Sequence, residues 1–161
     1  MKVLFVAGFG PIVRDMDASL AFYRDTIGMP LEEKGDVSTE KVDGVKHFGL
    51  WPLAEAAESC FGSHEWPTNM TPPQAWIEFD VDTPAAVADA VEELRASGHE
   101  ILVGAHEEPW GQTTSRLMSP EGLLVGVSFT PWMHDPGPAG NAVVGYDPEV
   151  DAFGTAGLDP S

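Results

Sequence analysis

The stretch Glu108-Pro-Trp-Gly-Gln-Thr-Thr-Ser-Arg-Leu-Met-Ser-Pro-Glu-Gly-Leu-Leu-Val-Gly-Val-Ser-Phe-Thr130 decides the fold of this chain. At its centre, Pro120 stands where a turn needs φ near about −65°, and Gly122 stands where a positive φ costs little. These two residues predict a hairpin that pairs residues 113–118 with residues 123–130. The second arm is apolar on both faces, which is typical of a strand buried between two layers.

This hairpin closes a unit that occurs twice in the chain. The second copy begins with an alternating strand at 75–81 and a helix that Thr83 caps and Gly98 ends, followed by a strand at 99–104. The first copy has the same order: a strand at 3–13, a helix ended by Gly28, and strands at 29–34, 37–42 and 45–53. We therefore predict an α+β protein built from two tandem β-α-β-β-β modules.

The chain divides into a folded domain, residues 1–131, and an acidic, Gly- and Pro-rich C-terminal tail, residues 132–161. Within the domain, module one spans 1–53, a bridge spans 54–74, and module two spans 75–131. In the bridge, residues 54–59 could make a helical turn, and residues 61–73 carry large apolar side chains that suit an ordered loop, which either seals a core edge or covers a ligand cavity. The tail is too polar to form a core by itself, although it has four candidate anchors: Val143, Val144, Tyr146 and Phe153.

The composition limits the partners. With 26 acidic and eight basic residues, the formal charge is −18, which argues against nucleic acid and anionic membranes. A neutral or cationic small molecule is compatible with this charge, which also serves solubility. The single cysteine, Cys60, excludes an internal disulfide and a Cys-rich metal site. No apolar run has the length of a membrane span and residues 1–8 are too short for a signal sequence, so we expect a cytoplasmic protein.

Three motifs together resemble the vicinal oxygen chelate superfamily: Val13-Arg-Asp-Met-Asp-Ala-Ser-Leu-Ala-Phe-Tyr23, Trp110-Gly-Gln112, and Ser119-Pro-Glu-Gly-Leu123. This superfamily includes glyoxalase, extradiol dioxygenases, fosfomycin resistance enzymes and bleomycin resistance proteins. The resemblance covers roughly residues 3–131. It implies that the two modules form a curled mixed sheet around a cleft, often completed by a second subunit. The strand edges of such modules also favour a homodimer.

The resemblance further implies where metal ligands would stand. Metal-dependent members carry them at positions that correspond to Gly8, Trp76 and Gly126 in this chain. Glycine has no side chain and an indole N–H only donates, so none of the three can bind a metal. His47 and Glu78 could converge, but two ligands are too few for a divalent ion. We expect no metal and no other cofactor.

The predicted cleft is aromatic. Trp51 and Trp76 should face into it and Trp110 should stand at the mouth of the hairpin, while Gly8, Gly49 and Gly126 leave room beside them. Such a cleft suits a planar or hydrophobic ligand. Gln112 and Arg116 could orient an anionic or carbonyl group, although Arg116 could equally pair with a surface carboxylate, and tryptophans in small sheet proteins are often core residues.

Two functions are compatible with these residues. The first is a binding protein of the bleomycin-resistance type, which holds a planar or hydrophobic small molecule, neutral or cationic, without metal. The second is a lyase or isomerase of the glyoxalase-like superfamily, metal-independent or with a non-standard metal, in which His47 and Glu78 handle protons. A lone strand histidine such as His47 is more often a hydrogen-bonded structural residue. The third possibility is a domain that binds no ligand.

Overall fold

The computed structural model describes residues 1–134. Residues 135–161, which make up most of the predicted tail, lie outside the described part. The prediction for the tail can therefore be compared with the structure only at residues 132–134. None of the helices within residues 1–134 is long and apolar enough to cross a membrane.

The first module contains four strands and one helix. Its elements in chain order are β1 (Phe5–Val13), α1 (Met16–Leu20), a π-helical turn that continues α1 (Ala21–Thr26), β2 (Glu32–Lys34), β3 (Asp36–Thr39) and β4 (Phe48–Pro52). Helix α1 begins at Asp15, whose side chain accepts a 3.0 Å hydrogen bond from the Ala18 amide. This contact satisfies one of the amides that a helix start leaves unpaired.

The bridge and the second module follow in the expected order. Their elements are α2 (Leu53–Phe61), β5 (Ala75–Asp80), α3 (Pro84–Ala96), β6 (Ile101–Glu107), β7 (Thr113–Met118), β8 (Leu124–Phe129) and a 3₁₀ turn (Pro131–Met133). The Thr83 hydroxyl caps α3 by accepting a 3.1 Å hydrogen bond from the Ala86 amide, and Pro84 is its first residue, as predicted.

All eight strands form one sheet in the order β2-β3-β4-β1-β5-β8-β7-β6. The sheet has two different end strands, so it is open and does not close into a barrel. Each module contains one parallel pair, β1 with β4 and β5 with β8, and the antiparallel pair of β1 and β5 joins the modules. The α+β class and the two tandem β-α-β-β-β modules are confirmed.

The hairpin predicted from Pro120 and Gly122 is also present. Strands β7 and β8 pair from Thr113↔Phe129 to Met118↔Leu124. In the turn, the Gly122 amide donates to the Ser119 carbonyl at 3.0 Å, and Gly122 has a φ of 91°, in the region that favours glycine.

The sheet has an inner and an outer face. On β5, Trp76, Glu78 and Asp80 are buried on the inner face, whereas Ile77 and Phe79 alternate with them on the outer face. Helix α3 packs on the outer face through Val87 and Ala90, and α1 covers the outer face of module one. The inner face carries the side chains that the sequence analysis placed in the cleft.

Helix α2 of the bridge covers the inner face. Its small residues Ala56 and Cys60 pack in one cluster with Trp76 and with Ile12 and Leu124. The bridge was predicted as a helical turn at 54–59 followed by an ordered loop. The structure has a longer helix in place of that turn, Leu53–Phe61, which lies on the sheet and seals this core.

Candidate functional site

A buried ion pair occupies the centre of the inner face. Glu78 on β5 and Arg116 on β7 are both cross-strand partners of Gly126 on β8, which lies between them. Arg116 Nη1 donates to Glu78 Oε2 at 3.0 Å, and the two side chains are only 3% and 5% exposed. A Cβ atom at Gly126 would lie 2.4 Å from the Glu78 carboxylate, so the pair requires glycine at this position.

Three further side chains complete a cluster around this pair. Thr114 Oγ1 donates to Glu78 Oε1 at 2.8 Å. Arg116 Nε donates to Ser59 Oγ at 3.1 Å, and its Nη2 lies 3.5 Å from Glu108 Oε1. Ser59 Oγ in turn donates to Glu108 Oε1 at 2.5 Å. We call Glu78, Arg116, Glu108, Ser59 and Thr114 the ion cluster; through Ser59 it also ties α2 to the sheet.

The neighbouring carboxylates keep the Arg116 side chain positively charged. Burial by itself would lower the pKa of the Arg116 guanidinium, but the neighbouring carboxylates, Glu78 foremost, raise it above its ordinary value. The guanidinium is therefore a permanent internal cation that two acidic side chains share. Such a buried network stabilises the fold only while all its members are present.

The aromatic side chains surround the ion cluster. The Arg116 guanidinium lies 4.7 Å from the ring centre of Trp51, and Trp51 meets Trp76 edge to face, with 6.0 Å between ring centres. The Trp76 ring fills the space over Gly8, where a Cβ atom would lie 2.6 Å from Trp76 Cη2.

The prediction that Gly8, Gly49 and Gly126 leave open room is therefore wrong. The Trp76 ring covers Gly8 and also reaches Gly49, where a Cβ atom would lie 3.6 Å from Trp76 Cζ2. The Glu78 carboxylate covers Gly126. These glycines allow large side chains of neighbouring strands to lie flat across the backbone, so the missing side chains create packing space that the chain itself uses.

The residues at this centre do not fit a divalent metal ion. Two of the positions implied by the resemblance are glycines covered by Trp76 and Glu78, and the third is Trp76 itself. The nearest carboxylates, Glu78 and Glu108, already share the Arg116 guanidinium. Within residues 1–134, no group of three or more His, Cys, Asp or Glu side chains could hold a metal.

The structure does not bring His47 and Glu78 together. His47 lies just before β4, with Nε2 3.8 Å from Asp36 Oδ2 and Nδ1 3.9 Å from Glu40 Oε1. The neighbouring His47 ring lowers the pKa of the Glu40 carboxyl. On its inner side His47 contacts the Trp76 ring, with 6.2 Å between ring centres. The two proposed proton-handling residues thus have separate partners.

Trp110 and Gln112 form a separate contact near the start of β7. Trp110 Nε1 donates to Gln112 Oε1 at 3.1 Å, and Gln112 Nε2 donates to Thr130 Oγ1 at 2.9 Å. Of the residues proposed from sequence, the structure therefore groups Trp51, Trp76, Glu78 and Arg116. His47 reaches this group through the Trp76 ring, and Trp110 and Gln112 contact each other.

Sequence reasoning missed Ser59, Glu108 and Thr114. Thr114 precedes Arg116 by two residues on one strand, so strand periodicity could have placed both on the same face. Glu108 and Ser59 reach the cluster from a loop and from α2, and no local pattern indicates either contact.

Two buried indole N–H groups lack a partner. Trp76 Nε1 and Trp66 Nε1 are both inaccessible to solvent and make no hydrogen bond within the described part of the chain. Trp66 packs against the same core cluster as Trp76 and meets Phe61 edge to face at 5.0 Å. A buried donor without an acceptor costs about 1–3 kcal/mol, so these groups are candidates for ligand contacts.

The comparison with family models identifies the class of protein. The model of the Glyoxalase/Bleomycin resistance protein/Dioxygenase superfamily matches residues 9–127, which is well over half of the chain. The chain belongs to this superfamily. A sequence comparison with curated proteins found no match.

Several solved structures are similar to this chain. A structure described as an NAD-dependent benzaldehyde dehydrogenase from Legionella pneumophila has a TM-score of 0.53 at 14% identity, with 76% of this chain and 96% of that one covered. A superfamily member from Vibrio splendidus 12B01 has a TM-score of 0.49 at 17% identity, with 79% and 99% covered. Methylmalonyl-CoA epimerase from Streptomyces coelicolor has a TM-score of 0.47 at 16% identity, with 84% and 100% covered. Because the sequence identity is so low, the similarity to the first of these structures shows a common fold and nothing more.

Proposed function

We propose that this chain is a small-molecule-binding protein of the bleomycin-resistance type, which holds a planar or hydrophobic ligand against Trp76 and Trp51 without a metal. The observation that carries the proposal is the buried Trp76 Nε1, which has no acceptor within residues 1–134. A ligand oxygen or nitrogen that accepts from this N–H would offset the cost of leaving it unpaired. The ring faces of both tryptophans supply stacking area.

Ligand access in this proposal requires movement of α2. The helix packs on Trp76 through the small side chains of Ala56 and Cys60. Its polar attachment to the sheet is Ser59, which bonds to Glu108 and Arg116. Breaking these bonds while a ligand inserts between α2 and Trp76 would turn the sealed core into a binding cleft.

The ion cluster argues for an acceptor-bearing ligand rather than a cation. The cationic preference expected from sequence relied on Glu78 as a charged contact. Glu78 already pairs with Arg116 and accepts from Thr114, so it has little capacity left for a ligand cation. A carbonyl, carboxylate or ring nitrogen suits the unpaired indole donor.

The enzymatic alternative, a lyase or isomerase using His47 and Glu78, has weaker support. It would need these two residues to act on one substrate, yet Glu78 is held by Arg116 and His47 lies beside Asp36 and Glu40. Analysis of every bound compound for a changed product separates the two functions.

We expect Trp76→Phe to weaken ligand binding about fivefold to tenfold, because phenylalanine keeps an aromatic face but removes the N–H donor. Calorimetric titration with a panel of planar compounds, matched in pairs with and without an acceptor atom, measures this change. Trp110→Phe is the control, since Trp110 bonds only to Gln112 within the described residues and should leave affinity unchanged. A ligand that binds wild type and Trp76→Phe equally would refute the proposed contact.

A homodimer and a cytoplasmic location belong to the same proposal. The two end strands of the sheet, β2 and β6, each have one unpaired edge. Strand β2 is short and charged, which protects its edge, so β6 is the better candidate for pairing with a second copy. Light scattering at micromolar concentration should give twice the chain mass; a monomer mass would argue against the dimer.

A further inference from the structure

An apolar groove lies on the outer face beside α3. It has a volume of 380 Å³ and is lined by Met1, Val3, Phe79, Leu94, Leu117, Val125 and Val127. Met1 and Val3 are 53% and 46% exposed, so one wall of the groove faces solvent. We call this feature the outer groove. Large apolar side chains exposed together mark a surface that something covers.

The described part of the chain ends beside the outer groove. The ring of His134 lies 4.7 Å from that of Phe129 and 5.4 Å from that of Phe5. Phe129 follows Val127 by two residues on β8, a distance of roughly 7 Å, and Phe5 follows Val3 by two residues. Both rings that hold His134 are thus close neighbours of groove residues.

Polar contacts fix this exit point. His134 Nε2 lies 2.7 Å from Oδ1 of Asp80, a fully buried carboxylate at the end of β5. Lys46 Nζ donates to the Met133 carbonyl at 3.3 Å and lies 4.0 Å from the ring centre of Phe5. Residues 133 and 134 are therefore held by both modules, and the rest of the chain starts from a defined place.

We propose that the outer groove is the docking site of this chain's own C-terminal segment, with the apolar side chains among residues 143–153 as its occupants. Residues 135–143 can span roughly 30 Å when extended, which exceeds the distance from His134 to Val127. The segment offers several apolar side chains in this range, among them Val143, Val144, Tyr146 and Phe153. These apolar side chains match the apolar lining of the outer groove.

Other occupants fit the groove less well. The lining side chains are all apolar, and small-molecule sites normally add a few polar groups that orient the ligand. A free small molecule and a second copy both have to bind from solution. A tethered segment has the advantage over both, because its local concentration is on the order of millimolar and closing a short loop costs little.

A spin label on the segment tests this proposal. In Asp147→Cys the label lies next to Tyr146, and native Cys60 does not compete for it, since burial raises the pKa of the Cys60 thiol to about 11. We expect the NMR amide signals of Leu94, Val125 and Val127 to lose most of their intensity. Signals from β3, at the other end of the sheet, should stay unchanged and serve as the internal control.

Two further samples make the outcome decisive. Replacing Val143 and Val144 by serine in the labelled chain should restore the groove signals, because the docking side chains are gone. Mixing isotope-labelled chains without spin label with spin-labelled chains without isotope should leave the signals intact. Signal loss in this mixture would assign the groove to a second copy, and no loss in the first sample would show that the segment does not dock; either result overturns the proposal.

Discussion

Replacing Arg116 by methionine should lower the free energy of unfolding by about 3–5 kcal/mol. The substitution leaves Glu78 and Glu108 in a buried space without the guanidinium that they share. It also removes the cation from the face of Trp51. Urea unfolding followed by tryptophan fluorescence measures the change.

A second substitution and a surface control make this prediction specific. Adding Glu78→Gln to Arg116→Met should recover part of the loss, because one unpaired charge is removed. Arg24→Met should have only a small effect, since Arg24 is 40% exposed and its pairs with Asp25 and Glu33 lie in solvent. If Arg116→Met lowers the free energy of unfolding no more than Arg24→Met does, the ion cluster does not stabilise the centre of this fold.

Gly8→Ala is expected to lower the free energy of unfolding by about 1–3 kcal/mol. The new Cβ atom would lie 2.6 Å from Cη2 and 2.7 Å from Cζ3 of Trp76, and 3.3 Å from the backbone carbonyl of His47. Moving either the rigid indole or the backbone to make room would cost considerable free energy. The change should also alter the near-UV circular dichroism of the Trp76 environment.

The Gly8 effect should depend on the size of residue 76. Cη2 and Cζ3 belong to the part of the indole that phenylalanine lacks, so in a Trp76→Phe background Gly8→Ala should cost clearly less than in the wild type. Gly104→Ala is the matched control in a strand: its Cβ atom would meet only Arg95 Nη2, at 3.8 Å, an ordinary contact. Simple additivity of the Gly8 and Trp76 substitutions would show that the ring does not cover Gly8.

The elements that depend on local signals could be predicted from sequence. Pro120 and Gly122 determine a turn between two short arms, and Thr83 with Pro84 determines a helix start, whatever the rest of the chain does. The alternation of Trp76, Glu78 and Asp80 likewise fixes which side chains share the inner face. Signals of this kind occur in both halves of the chain, and this repetition was enough to identify the two modules.

Contacts between distant segments could not be predicted. The absence of side chains at Gly8 and Gly126 is visible in the sequence, but which neighbours fill the space depends on the orientations of Trp76 and Glu78. The contact of Ser59 with Glu108 joins residues far apart in the chain, and it forms only because α2 lies on the inner face. In the first helix, the spacing of Leu20, Tyr23 and Ile27 predicts one buried face, yet Ile27 is 58% exposed, because the π-helical turn rotates the chain before it.

Metal analysis of the purified protein tests most directly whether the centre of the inner face, formed by Trp76 and the ion cluster, binds a metal. The protein is purified without chelators, and its melting temperature is measured before and after treatment with EDTA. We predict no transition metal near one equivalent per chain and an unchanged melting temperature, because residues 1–134 supply no ligand set for a metal at the centre of the inner face. Zinc, nickel, iron or manganese at about one per chain, removed by EDTA together with a fall in melting temperature, would contradict the account.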